Sequence, residues 1–490
     1  MKPRHHLLAF ALLVSATAAL AQGSLTPPPG APAPSMKTLD QLEPRIPLQA
    51  GAPGVSIDAN GTITISRPGS YYLTGDLTVA EGDGIQIDQT GDVSIDLNGF
   101  TISSTAAGPV LDRAAIRIIP GANYPAPTSN LSICNGHIRG TAQNEGDTFS
   151  GGSFLNGIYC ATYSVSSSRV ADITVSGMAM DGLHLEGYSN LISNCNVSIC
   201  GGTGITANIA SDCSAIGCYG NGIVASQVTN CFAESNHGQG IQGQQVANSY
   251  GYSMDDTGIQ ATNAQNSYGY STNGQGLRAT VATNCYGHSA TREGIYATIS
   301  TGCQGVSSSG TGLCAEKTAD NCYGETASGR YGLCAYKGAT NCSGYNNVSS
   351  STTAYGLYTG GSATGCGGYT RTGLAGLSAE VVNNCQGSTT AATAGIQGSV
   401  VTNSLGQNDS TAANTYGIDA KISASFSTGT GIVGIRAIRS ANYCHGTTTA
   451  TNSPFLAILT GQTTPIVISG TAIGCTSTGT ITATNKYLMP

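Results

Sequence analysis

Gly222-Ile-Val-Ala-Ser-Gln-Val-Thr-Asn-Cys-Phe-Ala-Glu-Ser-Asn-His-Gly-Gln239 runs directly into Gly240-Ile-Gln-Gly-Gln-Gln-Val-Ala-Asn-Ser-Tyr-Gly-Tyr-Ser-Met-Asp-Asp-Thr257 and then Gly258-Ile-Gln-Ala-Thr-Asn-Ala-Gln-Asn-Ser-Tyr-Gly-Tyr-Ser-Thr-Asn-Gly-Gln275. The three units are 18 residues long and agree by column. Gly and Ile open each one, Val or Ala stands seventh and Asn ninth. Cys or Ser follows tenth, an aromatic ring eleventh and Ser fourteenth. Gly before Ile or Leu recurs every 18 residues from Gly204 to Gly312. It continues with looser spacing at Gly332, Gly356, Gly376, Gly395 and Gly417, and appears upstream at Gly157 and Gly182. A fixed period near 20 is the signature of a solenoid.

Within each unit, apolar or small residues alternate with polar ones, which is the period of a strand. Hairpins built from such short strands would scramble the columns. Coiling preserves them, because each unit then lies on its neighbour in a parallel ladder about 4.8 Å away. Asn at a bend can bond the Asn above and below it, while Ile, Leu, Val and Ala fill a narrow interior. The expected fold is therefore all-β, a single-stranded parallel β-helix of roughly twenty short coils. An 18-residue coil could be three hexapeptides of a left-handed prism. However, the columns do not repeat every six residues and coil length drifts from 17 to 25, which favours the right-handed type. At the parallel-ladder spacing, twenty coils make a rod on the order of 90–100 Å long.

Composition agrees. The chain has 490 residues, 68 Gly, no Trp and 7 Phe, and charged residues make up only 9 % of it. Net charge is −7, and no Lys/Arg cluster interrupts it, so nucleic acid and anionic membrane are poor partners. Lys2 and Arg4 lead into an apolar run from Leu7 to Leu20 that ends in Ala19-Leu-Ala21. That reads as a signal peptide over 1–21, cleaved after Ala21, and no transmembrane segment is expected once it is removed. Residues 22–54 read as a Pro-rich spacer and cap segment, and 55–490 as the β-helix domain. The regular stack spans about 156–445, with looser insertions at Pro120–Pro127 and Gly140–Gly152. The expected location is secreted, extracellular or cell-surface, with the periplasm as an alternative.

Gly69-Ser-Tyr-Tyr-Leu-Thr-Gly-Asp-Leu77, Val93-Ser-Ile-Asp-Leu-Asn-Gly-Phe-Thr-Ile102 and the Gly-Ile coils resemble secreted bacterial right-handed β-helix proteins of the pectate-lyase superfamily. The Pro spacer, Met36-Lys-Thr-Leu-Asp-Gln-Leu-Glu-Pro44 and Asn485-Lys-Tyr-Leu-Met-Pro490 resemble, more narrowly, a group of largely uncharacterised exported β-helix proteins. The resemblance covers nearly all of the chain beyond Thr26. It implies the fold and leaves the activity open, since the fold hosts lyases, hydrolases, tailspikes and adhesins.

Seventeen cysteines in an exported chain invite a disulfide reading. Most fall in the tenth column, interchangeable with Ser, as small interior fillers would. Cys314 and Cys334 instead follow Leu on adjacent coils, where alternation turns them outward side by side. They are the disulfide candidate. No C-x-x-C pair or His cluster suggests a metal, and no cofactor is implied.

Cleaving a polysaccharide on such a rod needs outward acids and bases converging on one face. Asp181-Gly-Leu-His-Leu-Glu186 offers the best set: with Leu183 and Leu185 inward, His184 and Glu186 point out together. One coil earlier the same column brings Tyr159, and before that Arg117. These four, Arg117, Tyr159, His184 and Glu186, form the candidate binding patch. Asp255-Asp256 superficially resembles the paired aspartates of pectin hydrolases, but the Gly-His-Gly and Arg-Ile-Lys segments of that family are absent. A structural turn is the favoured reading there. The aromatic column Phe232, Tyr250, Tyr268, Tyr286 could dock sugars or stabilise itself as a ladder. Two functions remain. One is a non-catalytic exported rod with a structural, adhesive or glycan-binding role, its partner a polysaccharide or cell-envelope glycan. The other is a polysaccharide lyase or hydrolase.

Overall fold

In the computed structural model the described residues are 45–89, 91–106, 113–119, 128–144, 149–412, 414–448, 466–473, 475–477 and 481–487. Residues 1–44, read above as a signal peptide and Pro-rich spacer, and Pro120–Pro127 lie outside them. From Ile46 onward the chain forms a compact unit, a parallel β-solenoid of about 19 turns and of the right-handed type. That is the hand a parallel crossover takes when each strand twists to the right.

Each regular coil contributes a long strand and a short one. Ile241–Ala247 lies on Ile259–Gln265, and Tyr250–Ser253 lies on Tyr268–Ser271. The second column of the repeat therefore stacks as Ile223, Ile241, Ile259, Leu277, Ile295 and Leu313, all fully buried. With Ala and Val beside them they make one continuous core along the axis. The Gly that precedes this column is fixed by close approach. A Cβ on Gly258 would sit 2.4 Å from the Tyr270 carbonyl oxygen and 2.6 Å from that of Gly276.

The first corner is a column of left-handed residues: Asn230, Asn248, Asn266 and Asn284 have φ of 54°, 50°, 48° and 51°. Asn accepts this region more readily than other residues with a side chain. Gly302 and Gly365 take the same corner at φ 63° and 64°. Amide-to-amide bonding also occurs, as from Asn266 Nδ2 to Asn248 Oδ1 at 3.3 Å, but positive φ is what the column shares.

Turning the chain there strands the next backbone N–H, and the tenth column satisfies it. The Cys285 N–H donates to the Cys303 Sγ one coil on, 3.4 Å away, and the Cys303 thiol donates to the Thr301 carbonyl at 3.3 Å. Where Ser stands in the column the pattern is identical. The Cys231 N–H donates to the Ser249 Oγ at 3.1 Å, and that hydroxyl donates to Ala247 at 2.7 Å. Thiol and hydroxyl interchange because both donate once and accept once. At the second corner the fourteenth column repeats the device. The buried Ser271 hydroxyl donates to the Asp256 carbonyl at 2.6 Å and accepts the Gly274 N–H at 2.8 Å.

The stack departs from its pattern near the ends and at an insertion. Val55–Ile57 turns back on Ile63–Ile65 in an antiparallel pair before the parallel winding begins. Ile46–Pro47 already joins the ladder by pairing with Tyr71–Tyr72, ahead of residue 55. Gln143–Asn144 and Phe149–Ser150 form an antiparallel pair at the Gly140–Gly152 insertion. Ile466–Ile473 lies on Val433–Ala437 and Ser440–Asn442, and Ile481–Tyr487 follows it.

Candidate functional site

One outward column runs beside the buried Ile/Leu column. Gln86, Arg117, Tyr159 and His184 stand in it in register on successive coils. The structure thus brings Arg117, Tyr159 and His184 together. The Arg117 guanidinium lies 5.8 Å from the centre of the Tyr159 ring, which stands 5.3 Å from the His184 ring. Glu186 is on the same strand as His184, with Leu183 and Leu185 buried on either side of His184.

Asp83, Gln86 and Asp181, which sequence reasoning did not place in the patch, complete it. Asp83, itself 5 % exposed, accepts from Arg117 Nε and Gln86 Nε2, both at 2.8 Å, and from the Ala114 N–H at 2.7 Å. Asp181 meets His184 Nδ1 at 2.8 Å and accepts the Thr203 N–H at 2.8 Å. Both aspartates occupy the position just before the Gly-Ile/Leu dipeptide. Each reaches the outward residue three places on, Asp83 to Gln86 and Asp181 to His184. A carboxylate in that position was the available signal.

His184 Nε2 lies 3.3 Å from Glu186 Oε1, so both ring nitrogens face carboxylates. Burial alone would lower the imidazole pKa. The hydrogen bond and charge of Asp181, with those of Glu186, more than offset it and hold the pKa above the ordinary value. When protonated, the imidazole donates to both carboxylates and holds no lone pair that could take a proton from a substrate. Arg117 is likewise committed to Asp83. Even with His184 protonated, Arg117 and His184 face three carboxylates, so the patch carries no excess positive charge that would draw an acidic sugar.

A concavity lies elsewhere on the solenoid. A groove of about 770 Å³ follows the asparagine corner from Asp212 to Tyr286, with the aromatic column as its other wall. Phe232, Tyr250, Tyr268 and Tyr286 stack with ring centres 5.0, 5.0 and 4.6 Å apart and planes within 12°. The ring faces cover one another, so within the ladder only edges and hydroxyls meet the groove. This makes the column a structural ladder whose faces do not form a flat sugar platform. A second groove of about 580 Å³ occupies the same corner between Gly365 and Thr428.

Asp255 and Asp256 sit in a turn. Asp255 holds the exposed His237 at 2.5 Å and Asn273 at 2.9 Å, while Asp256 accepts the Thr257 N–H at 2.7 Å. Asn273 and His237 keep the Asp255 carboxyl below its usual range.

Cys314 and Cys334 are register partners on adjacent coils, and the structure holds both as free thiols. They alternate outward from Leu313 and Leu333, yet they are buried, contrary to the exposure expected from alternation alone. Strand period sets direction, while neighbouring side chains, including Tyr336 against Cys334, decide what is covered. The tenth-column thiols are also free and buried. Cys195 and burial push the Cys213 thiol up to about 12.

Among the described residues no helix is long and apolar enough to cross a membrane, and no group of three or more His, Cys, Asp or Glu is placed to hold a metal ion. No family model, curated protein or solved structure matches the chain.

Proposed function

We propose that this protein is an exported, non-catalytic β-helical rod that works at or beyond the cell surface, in a structural, adhesive or glycan-binding role. The observation that carries the reading is the closure of the charged patch upon itself. His184 spends both nitrogens on Asp181 and Glu186, and Arg117 spends its Nε on a carboxylate already filled by Gln86 and Ala114. Asp83 ties the coil of Arg117 to the one before it, and Asp181 accepts the Thr203 N–H of the next coil, which is a structural task. Export rests on the signal-like segment ending at Ala21 and on the resemblance to exported β-helix proteins.

A polysaccharide lyase or hydrolase working at the same patch is the second reading. It is favoured by the gathering of Arg117, Tyr159, His184 and the 41 %-exposed side chain of Glu186 on one face. Incubating the protein with anionic and neutral polysaccharides, with and without Ca²⁺, separates the two. Retention without new chain ends supports the rod. New reducing ends or unsaturated-sugar absorbance, abolished by Glu186→Ala, overturns it in favour of the enzyme. Sequencing the N-terminus of the secreted protein tests export, with Gln22 as the expected first residue.

A further inference from the structure

We propose that the groove along the asparagine corner, from Asp212 to Tyr286, binds an uncharged polysaccharide laid parallel to the solenoid axis. The proposal rests on the surface-rod reading and names its ligand.

The groove, about 770 Å³, lies open along the surface, as a chain laid lengthwise requires. Both of its walls repeat once per coil. One carries the amides of Asn230, Asn248, Asn266 and Asn284, and the other the aromatic ladder. The ring spacing of 4.6–5.0 Å sets the interval at which a ligand must present its own groups. An extended β-linked pyranose chain advances by close to one coil spacing per sugar, so successive sugars would meet equivalent amides and phenols.

The chemistry of the walls selects hydroxyls over charged groups. Among the groove's lining residues Asp212, at one end, is the only charged one, so no cation is there to receive a carboxylate or phosphate. Burial pushes the phenols of Tyr250, Tyr268 and Tyr286 upward, so they remain neutral and can donate as well as accept. Asn amides do the same. The two ends of the ring stack differ from its middle. Phe232 is in register with Ser214 and Tyr286 with Gln304, so no ring continues the ladder there. Gln304 and Ser214 flank the rings on the adjoining coils, so a ligand in the groove meets ring edges and hydroxyls along its length.

The corner supplies unusually clean variants. Asn248 and Asn266 have φ of 50° and 48°, which glycine adopts freely, so Asn248→Gly with Asn266→Gly removes two amides and keeps the turn. Tyr250→Phe with Tyr268→Phe removes two hydroxyls and keeps the stack. Affinity electrophoresis of the full chain in gels of β-glucan, mannan, xylan, arabinan or polygalacturonate, with circular dichroism to verify the fold, is the test. The expected result is retardation by at least one neutral polymer, weakened about tenfold or more by either double variant. Retardation that ignores both double variants, that occurs only with polygalacturonate, or that occurs with no polymer overturns the groove assignment and leaves the rod reading standing. New chain ends in the gel overturn the rod reading itself.

Discussion

Replacing Ser271 by Ala tests the idea that the solenoid's corners are held by side-chain hydroxyls standing in for a missing backbone ladder. The Ser271 hydroxyl is fully buried. It donates to Asp256 O at 2.6 Å and accepts from Gly274 N at 2.8 Å. Alanine fits the space but leaves one buried acceptor and one buried donor unpaired. Each such group costs about 1–3 kcal/mol. Ala also removes a hydroxyl that had to be desolvated, so the net loss should be roughly 2–4 kcal/mol. Thr occupies the same column at Thr326 with the same two bonds, to Gly310 O at 2.7 Å and from Gly329 N at 2.8 Å. Ser271→Thr should therefore stay within about 1 kcal/mol of the parent. Because repeats unfold as a nearest-neighbour array, the effect concentrates in adjacent coils. Hydrogen exchange followed by mass spectrometry over residues 254–290 reads it directly. The amides there should exchange about 30- to 1,000-fold faster in Ser271→Ala, and the urea midpoint should fall. Unchanged exchange in the Ala variant, or equal damage from Thr, would refute hydroxyl pairing as the reason for the column.

Other perturbations probe the remaining columns. Cys303→Ser should leave stability nearly unchanged, since a hydroxyl can take the Cys285 N–H and reach the Thr301 carbonyl, whereas Cys303→Ala should cost about 1–3 kcal/mol in urea unfolding. Equal outcomes for Ser and Ala would make the thiol a mere filler. Gly258→Ala places a Cβ against the Tyr270 and Gly276 carbonyls and should cost about 3 kcal/mol or more. Gly367→Ala, whose nearest obstacle is the Ser343 hydroxyl at 3.6 Å, should be tolerated in the same assay. His184 has a raised folded-state pKa, so its contribution is fully present below the unfolded value of about 6.5 and is lost as pH rises through the folded value. The wild-type advantage over His184→Gln in urea midpoint should therefore be largest in mild acid and shrink toward alkaline pH. The opposite slope would mean that the carboxylates do not hold the imidazolium.

Periodicity decided most of the fold, and it was legible because a solenoid has almost no freedom between sequence register and spatial register. Residues 18 apart lie directly above one another from Gly204 to Gly312, so reading down a column is reading along the axis. The outward pairing of Arg117, Tyr159 and His184 followed from the same rule even where coil length varies. The rule is silent on what side chains do after leaving the strand. Cys and Ser could be seen to interchange, but only the corner geometry shows that the shared property is one donor and one acceptor aimed at specific backbone groups. Alternation turned Cys314 and Cys334 outward, and side-chain packing then buried them. The sequence nominated His184 and Glu186 as exposed chemistry. The position of Asp181, three residues back on the same coil, and the filling of Asp83 one coil before Arg117 turned that patch into closed ion pairs. Sequence alone determined the stacking, because backbone hydrogen bonding and a 4.8 Å ladder leave one register for identical units. Tertiary structure decided which side chains remain available to a ligand, because availability depends on distances between side chains that no period encodes.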